Sequence, residues 1–414
     1  MKGAPACGSD TRGVAHEWRF VNVGEVRRCR AFKYRLDPTV RQRRDLTDLL
    51  AISCEVYNAA LQERRDAWRM GRHRVRRYDQ TAQVPSLKDT RPDVVRFGVV
   101  PIRGALLRVD LAFQAFFRRC TAGEKPGYPR FKSRARWDSA EYLDQWSWKI
   151  TESTNRLYLQ GIGQIKARLH RPLRGTPKTC TVRREGRHWY VIVFCVDVPA
   201  EPLPPTVAMV GIDLGIASLV TTSDGEHIEN PRHGRVAAER LAEAQRSLAL
   251  KKRGSKRRRK AVERVAAAHR KVRNQRADHL HKLSRRLVND HDLIVHEDLR
   301  IVNMVRSASG TIETPGTNVA AKAGLNRSIQ DAGWAQLLRM IAYKAEEAGR
   351  EVIAVDAAYT SQRCAECGHI AAANRVTQAK FRCVACGHSA HADVNAAVNI
   401  LRAGLARRLA ARSA

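Results

Sequence analysis

The stretch VAMVGIDLGIASLVTTSDGEHI, residues 207–228, reads as a buried β-strand, a glycine-bracketed turn and a second strand. Its first strand ends on Asp213, a carboxylate that would be costly to place there without a task. Just upstream, PAEPLPPT (199–206) puts four prolines into eight residues, a semi-rigid linker. The hairpin therefore opens a domain of its own.

Downstream, residues 236–290 form a long basic helical pattern, broken around Gly254 by KKRGSKRRRK, with eight basic residues in ten. So many like charges repel strongly, which favours contact with a polyanion over a merely solvated face. DLIVHEDL (292–299) is a short apolar strand ending in acids. The segment 305–328 is poor in bulky apolar residues and is expected to be a mobile loop. GWAQLLRMIAYKAEEAG is a helix stopped by Gly349, and REVIAVD is another buried strand.

On the N-terminal side, residues 1–26 are weakly patterned and expected to be disordered. RCRAFKYRL (28–36) alternates as a strand. Asp37 then offers an N-cap and Pro38 a first helical position for an amphipathic helix with a stripe through Leu46, Leu49, Leu50, Cys54, Tyr57 and Leu61. A loop over 84–101 leads to a second helical pattern, RGALLRVDLAFQAFFRRC. Short β-branched and aromatic runs fill 146–198, which suggests a small barrel built from 27–37 and 121–198, with the helical segment 38–120 inserted after its first strand. Within it, EKPGYPRFKSRARW (124–137) interleaves cations with Tyr128 and Phe131, a mixture suited to phosphates and exposed bases.

With 75 Lys and Arg against 41 Asp and Glu over 414 residues, the formal charge is +34. Such a chain repels itself unless it carries a polyanion, and nucleic acid is the obvious one. No run of 18 apolar residues is present, nor an apolar stretch after Lys2, so a soluble cytoplasmic protein of a prokaryote, with no membrane partner, is expected.

Six of the ten cysteines are scattered, whereas Cys364, Cys367, Cys383 and Cys386 close the chain as CAECGH and CVACGH. Two Cys-x2-Cys pairs with 15 residues between them have the spacing of a four-cysteine zinc site, because each tight turn aims two thiolates at one tetrahedral ion. His369 and His388 are alternative ligands that a full cysteine set makes unnecessary.

Three acids stand at element ends: Asp213, Glu297 and Asp393, the last opening the helical pattern DVNAAVNILRAGLARRLA. Singly, each is a turn-former, a solvated strand end or an N-cap. Jointly, in so basic a chain, they suit a hard divalent ion such as Mg2+ or Mn2+ acting on a phosphodiester.

The blocks GIDLGIASLVTTSDG, IVHEDL, SIQDAGWAQLLRMIAYKAEEAGREV, YTSQRCAECGH and CVACGHSAHADVNAAVNI, in this order, resemble the TnpB proteins of insertion sequences and the related compact type V CRISPR effector nucleases. The resemblance is strong over 207–403 and architectural over 27–198. It implies a multidomain α/β and α+β chain. An RNase H-like RuvC nuclease domain (207–360 and 388–414) would be interrupted by a zinc ribbon for target nucleic acid (361–387). It would be preceded by a wedge-like β-barrel with a helical recognition insert.

It further implies an RNA-guided DNA endonuclease that reads a short flanking motif and cuts by two-metal catalysis. Asp213, Glu297 and Asp393 would hold Mg2+, and Cys364, Cys367, Cys383 and Cys386 would hold Zn2+. The partners would be a guide RNA, from a transposon end or a CRISPR array, and double-stranded target DNA, bound by a monomer. Residues expected at the nucleic acid are Lys251, Lys252, Arg253, Lys256, Arg257, Arg258, Arg259, Lys260, Tyr128, Phe131, Lys132 and Arg134. Alternatives are an RNA-guided DNA-binding regulator that does not cut, and a transposase accessory protein. His391 and Ala392 depart from the family pattern, which often has an acid and an Arg there.

Overall fold

The computed structural model describes residues 21–22, 25–26, 28–311 and 313–413. The start expected to be disordered lies outside these residues, apart from an antiparallel ladder of Val21–Asn22 with Glu25–Val26. Two units divide the chain, Met1–Pro199 and Ala200–Ala414.

The first unit contains strand β1 (Arg30–Asp37), helix α1 (Val40–Gly71) and helix α2 (Val100–Thr121). Strands β2 (Ser139–Tyr142), β3 (Trp148–Thr151), β4 (Arg156–Leu159), β5 (Gly163–Arg168), β6 (Thr176–Glu185) and β7 (His188–Val196) follow. All seven strands join in the order β2-β6-β7-β1-β5-β4-β3, antiparallel throughout. The end strands β2 and β3 are linked by the turn Gln145–Ser147 and share no ladder among the described residues. Phe32, Tyr34 and Leu36 of β1 are buried at alternate positions, as the strand period requires.

Two local expectations are corrected. Asp37 is not the cap of α1 but the last residue of β1, where Arg168 of β5 donates to its carboxylate at 2.6 Å. The cap is Thr39, whose hydroxyl accepts from the Gln42 N–H while the Gln42 side chain accepts from the Thr39 N–H, a reciprocal pair that Asp37 cannot form. The loop at 84–101 in turn contains three helical turns, Val84–Ser86, Leu87–Thr90 and Pro92–Val95, too short to show a period in sequence.

In the second unit, β8 (Met209–Asp213), β9 (Ser218–Thr222) and β10 (His227–Glu229) form an antiparallel meander, one strand more than the expected hairpin. Helices α3 (Ala238–Ala249) and α4 (Lys256–Asp290) precede β11 (Leu293–Glu297). Helices α5 (Val319–Ala332) and α6 (Trp334–Ala348) precede β12 (Glu351–Val355). Short strands β13 (Lys380–Arg382) and β14 (Ser389–His391) pair antiparallel, and α7 (Ala392–Ser413) ends the chain. The main sheet has the order β10-β9-β8-β11-β12, with β8, β11 and β12 parallel.

The loop expected over 305–328 is helical from Val319 onward. Alanines there are good helix formers, and the bulky stripe that would have betrayed the helix is absent because Ile329 and Ala332 are its only buried residues among those described. The expected boundary at 387 is crossed as well, since β14 carries the Cys module's ladder to His391.

Side-chain alternation sorts the two faces of the sheet. Val210 and Ile212 pack with Leu283 and Leu287 of α4 and Leu337 and Ile341 of α6, whereas Leu293, Val295 and Val355 pack with Ile400 of α7. Gly211 lies on the α7 face, where an added Cβ would overlap the Ala397 carbonyl and the Leu401 N–H, so only glycine lets the helix backbone rest on the strand. Among the described residues, no helix is long and apolar enough to cross a membrane.

Candidate active site and metal centre

Strand register brings two of the three acids together. In the parallel ladder Ile212 faces His296, so the next positions set Asp213 beside Glu297 at the strand tips. Asp213 shares the α7 face with Gly211, and Glu297 shares it with Val295, because side chains repeat every second residue. Helix α7 crosses Gly211 at Ala397, and one turn earlier its first turn carries Asp393. Asp393 is thus the second helical residue rather than an N-cap.

The three carboxylates are half-buried, and Asp213 feels the charges of the other two. Burial first, then the charges of Glu297 and Asp393, push the Asp213 carboxyl up to about 7, with Arg375 opposing. Burial also raises Glu297, against a 2.5 Å hydrogen bond donated by the Thr360 hydroxyl to its Oε1. Arg375 reaches Asp393 Oδ1 at 3.3 Å and donates to the Gln378 carbonyl at 3.0 Å. The carboxylates are not drawn as close as the cysteines: among the described residues, the group whose ligand atoms all lie within 4.8 Å is the cysteine quartet.

These shifts predict a pH dependence in magnesium-free buffer. Folded Asp213 holds its proton up to about pH 7, whereas the unfolded group releases it near 3.8. The stabilising contribution is complete below the unfolded value and is lost as pH rises through the folded one, a difference of about 4 kcal/mol. Asp213→Asn removes the dependence, so by scanning fluorimetry it should melt higher than wild type at pH 8, by roughly 10 °C, and equally at the acid end.

Cys364 Sγ lies 3.7 Å from Cys386 Sγ, and Cys367 Sγ 3.6 Å from Cys383 Sγ. Four sulfurs each about 2.3 Å from one tetrahedral ion would stand roughly 3.8 Å apart, so the quartet fits zinc. The backbone N–H of Cys386 helps hold the Cys383 thiol down to about 6, toward the thiolate that a metal needs. Gly368 and Gly387 take φ of 76° and 74°, which lets both knuckles turn.

Two asparagines fasten this module to α7. Asn395 accepts from the Ala365 N–H at 2.9 Å and donates to the Arg363 carbonyl at 2.7 Å, while Asn399 donates to the carbonyls of Thr360 (3.0 Å) and Arg363 (2.7 Å). Sequence reasoning missed Thr360, Arg375, Asn395 and Asn399. The i, i+4 asparagines among alanines were a visible signal; Thr360 and Arg375 gain their places only through the tertiary fold. His391, at the atypical position before Asp393, packs edgewise on His227 of β10 with ring centroids 4.4 Å apart.

The expected nucleic-acid residues are mostly available. Lys252, Arg253, Lys256, Arg257, Arg259 and Lys260 are exposed and Lys251 is partly so, but Arg258 is engaged, donating to the carbonyls of Leu248 and Lys251 at 3.0 Å each. Five cations in the first turns of α4 oppose the helix dipole, which favours anions there. In the first unit, Tyr128 packs edgewise on Phe113 and Phe116, and Arg65 lies over the Phe131 ring at 5.1 Å. Lys132 is held by Asn58 through its backbone, and Arg134 is exposed beside Glu55.

Three family models match the chain: "Helix-turn-helix domain" over 28–73, "Probable transposase" over 193–308, and "Cas12f1-like, TNB domain" over 334–400. The chain is 35% identical to "Putative RNA-guided DNA endonuclease InsQ" of Escherichia coli over 92% of its own length and 93% of that protein's. It is 37% identical to a "Putative RNA-guided DNA endonuclease" of Streptomyces pristinaespiralis, over 91% and 90% of the two chains. A solved structure titled "Cryo-EM structure of the Cas12f1-sgRNA-target DNA complex" matches 90% of this chain and 98% of its own at 15% identity, with a TM-score of 0.34.

Proposed function

This chain belongs to the TnpB family, the transposon-encoded relatives of compact type V CRISPR effectors, and from that premise we propose that it is an RNA-guided DNA endonuclease. The observation that carries the reading is the convergence of Asp213, Glu297 and Asp393 on one face of the sheet, from two adjacent strand tips and the helix crossing them.

A five-stranded sheet with three antiparallel and two further parallel strands supports an RNase H-like, RuvC-type nuclease domain, spanning 207–360 and resuming with α7 at Ala392, with the zinc ribbon between. The antiparallel sheet of the first unit supports the wedge, and its long helices the recognition insert. The residues fit hard divalent cations, since three carboxylates offer the oxygen ligands that suit Mg2+ or Mn2+. Bound there, such ions would activate water and stabilise the leaving oxygen.

The chain's own groups do the positioning. The strand ladder fixes Asp213 against Glu297, and the Thr360 hydroxyl orients a Glu297 oxygen. Arg375 pairs with Asp393, and its guanidinium keeps further donors of the kind that bind a phosphate. The exposed cations at 251–260 and the aromatic and basic stretch 124–137 are suited to the backbone of a guide RNA and its DNA target. We read the protein as acting as a monomer on one guide.

A non-cutting regulator would tolerate loss of an acid, and here all three are present. The test is RNA dependence. Protein purified with its co-purifying RNA and supplied with Mg2+ should cut a duplex matched to that RNA. Ribonuclease treatment before target addition should abolish cutting, and cutting that survives it would instead favour the transposase reading.

A further inference from the structure

Tyr359 stands one residue before Thr360, whose hydroxyl holds Glu297. Among the described residues, seven non-glycine residues have positive φ, and Tyr359, at 63°, is the aromatic one. A bulky L-residue rarely adopts this left-handed conformation, and it persists only where the surroundings impose it. Here they do. The Tyr359 carbonyl accepts from the N–H groups of Gln362 (3.0 Å) and Arg363 (2.9 Å), and Asn399 of α7 holds the Thr360 carbonyl. Asp356 accepts from the Ala358 N–H at 3.0 Å on the other side.

What this backbone presents is a tyrosine that is 60% exposed and whose side chain has no hydrogen-bond or ring partner among the described residues. Folding alone would be served better by Gly or Asn at this φ. The ring therefore has a use outside the fold. Its neighbours say which: the exposed Arg363 lies four residues on, Thr360, which holds Glu297, is the next residue, and the chain carries +34. An exposed, unpartnered aromatic side chain next to the residue that holds a carboxylate of a phosphodiester-cutting centre suits an unpaired base.

We propose that Tyr359 stacks on a nucleobase of the DNA strand held in the nuclease site and so fixes which phosphate meets the carboxylates. This rests on the nuclease reading above. The experiment uses the full ribonucleoprotein and a matched duplex under single-turnover conditions. Tyr359→Gly and Tyr359→Asn should melt no lower than wild type and bind the duplex equally, yet cut about tenfold more slowly, whereas Tyr359→Phe, which keeps the ring, should cut at the wild-type rate. An abasic site stepped through the cut region should slow the wild type at one position and leave Tyr359→Gly unaffected there.

Tyr359→Gly cutting at the wild-type rate overturns the proposal. So does a loss of cutting that only follows a fallen melting temperature, which would make the residue structural. Asp213→Ala run alongside separates the two failures: if that variant still cuts, the nuclease reading falls. If it does not cut while Tyr359→Gly does, only the stacking falls.

Discussion

Asp393→Ala, purified with its RNA, is expected to bind a matched duplex as wild type does and to cut it at least about a thousandfold more slowly. The expectation is sharper for this acid than for the other two because its removal leaves the fold alone. Asp393 is the second residue of α7, beside the fully buried Ala392 that anchors the helix start, and alanine is a good helix former there. The lost pairing with Arg375 is part-exposed and worth about 1 kcal/mol at most. Against that, one of the two carboxylates that raise Asp213 disappears, which relieves repulsion. The melting temperature should therefore hold or rise while cutting vanishes. Changing a partner of a metal ligand typically costs 10–100-fold, so loss of the ligand itself should cost more. Persistent cutting by Asp393→Ala would remove α7 from the site and undo the three-carboxylate reading.

How the fold announces itself in sequence differs between the acids and their supports. Asp213 and Glu297 were legible because apolar runs such as VAMVGI and DLIV make each acid an anomaly at a strand end, and anomalies of burial are local. That they sit side by side was not legible. It depends on β8 and β11 pairing in parallel with Ile212 opposite His296, across an intervening stretch that holds β9, β10 and the helices α3 and α4. The cysteine spacing was legible because zinc geometry acts over two residues at a time.

Thr360 and Arg375 lie in stretches with no periodic pattern; Thr360 acquires Glu297 of β11 and Arg375 acquires Asp393 of α7 only in the tertiary fold. Gly211 was visible as one of a bracketing pair, but its reason, the helix backbone of Ala397 and Leu401 resting on it, needed the packing. The helix over Val319–Ala332 escaped notice for the opposite cause: small residues give a helix propensity but no stripe.

The second large effect is expected at the knuckles. Cys383→Ser should abolish stoichiometric zinc, measured on the washed protein with a colorimetric chelator, and should abolish cutting with it. The reason is positional, since the hydrogen bonds of the four thiols run among the knuckle cysteines themselves. Thr360, which orients Glu297, lies four residues before Cys364, and Arg375, which pairs with Asp393, lies on the span between Cys367 and Cys383. Phe381, fully buried with Cys364, Cys383 and Ala392, is the whole large apolar content of this small core. So little apolar surface cannot hold the span without the metal, whose binding supplies on the order of 10 kcal/mol in zinc-finger peptides. Losing it should free Arg375 and Thr360 together, leaving three carboxylates without the groups that aim and neutralise them. Asp393→Ala, by contrast, should keep its zinc. If Cys383→Ser loses zinc yet cuts normally, the module does not position the site, and the close spacing of Cys386 and Asp393 has no part in cleavage.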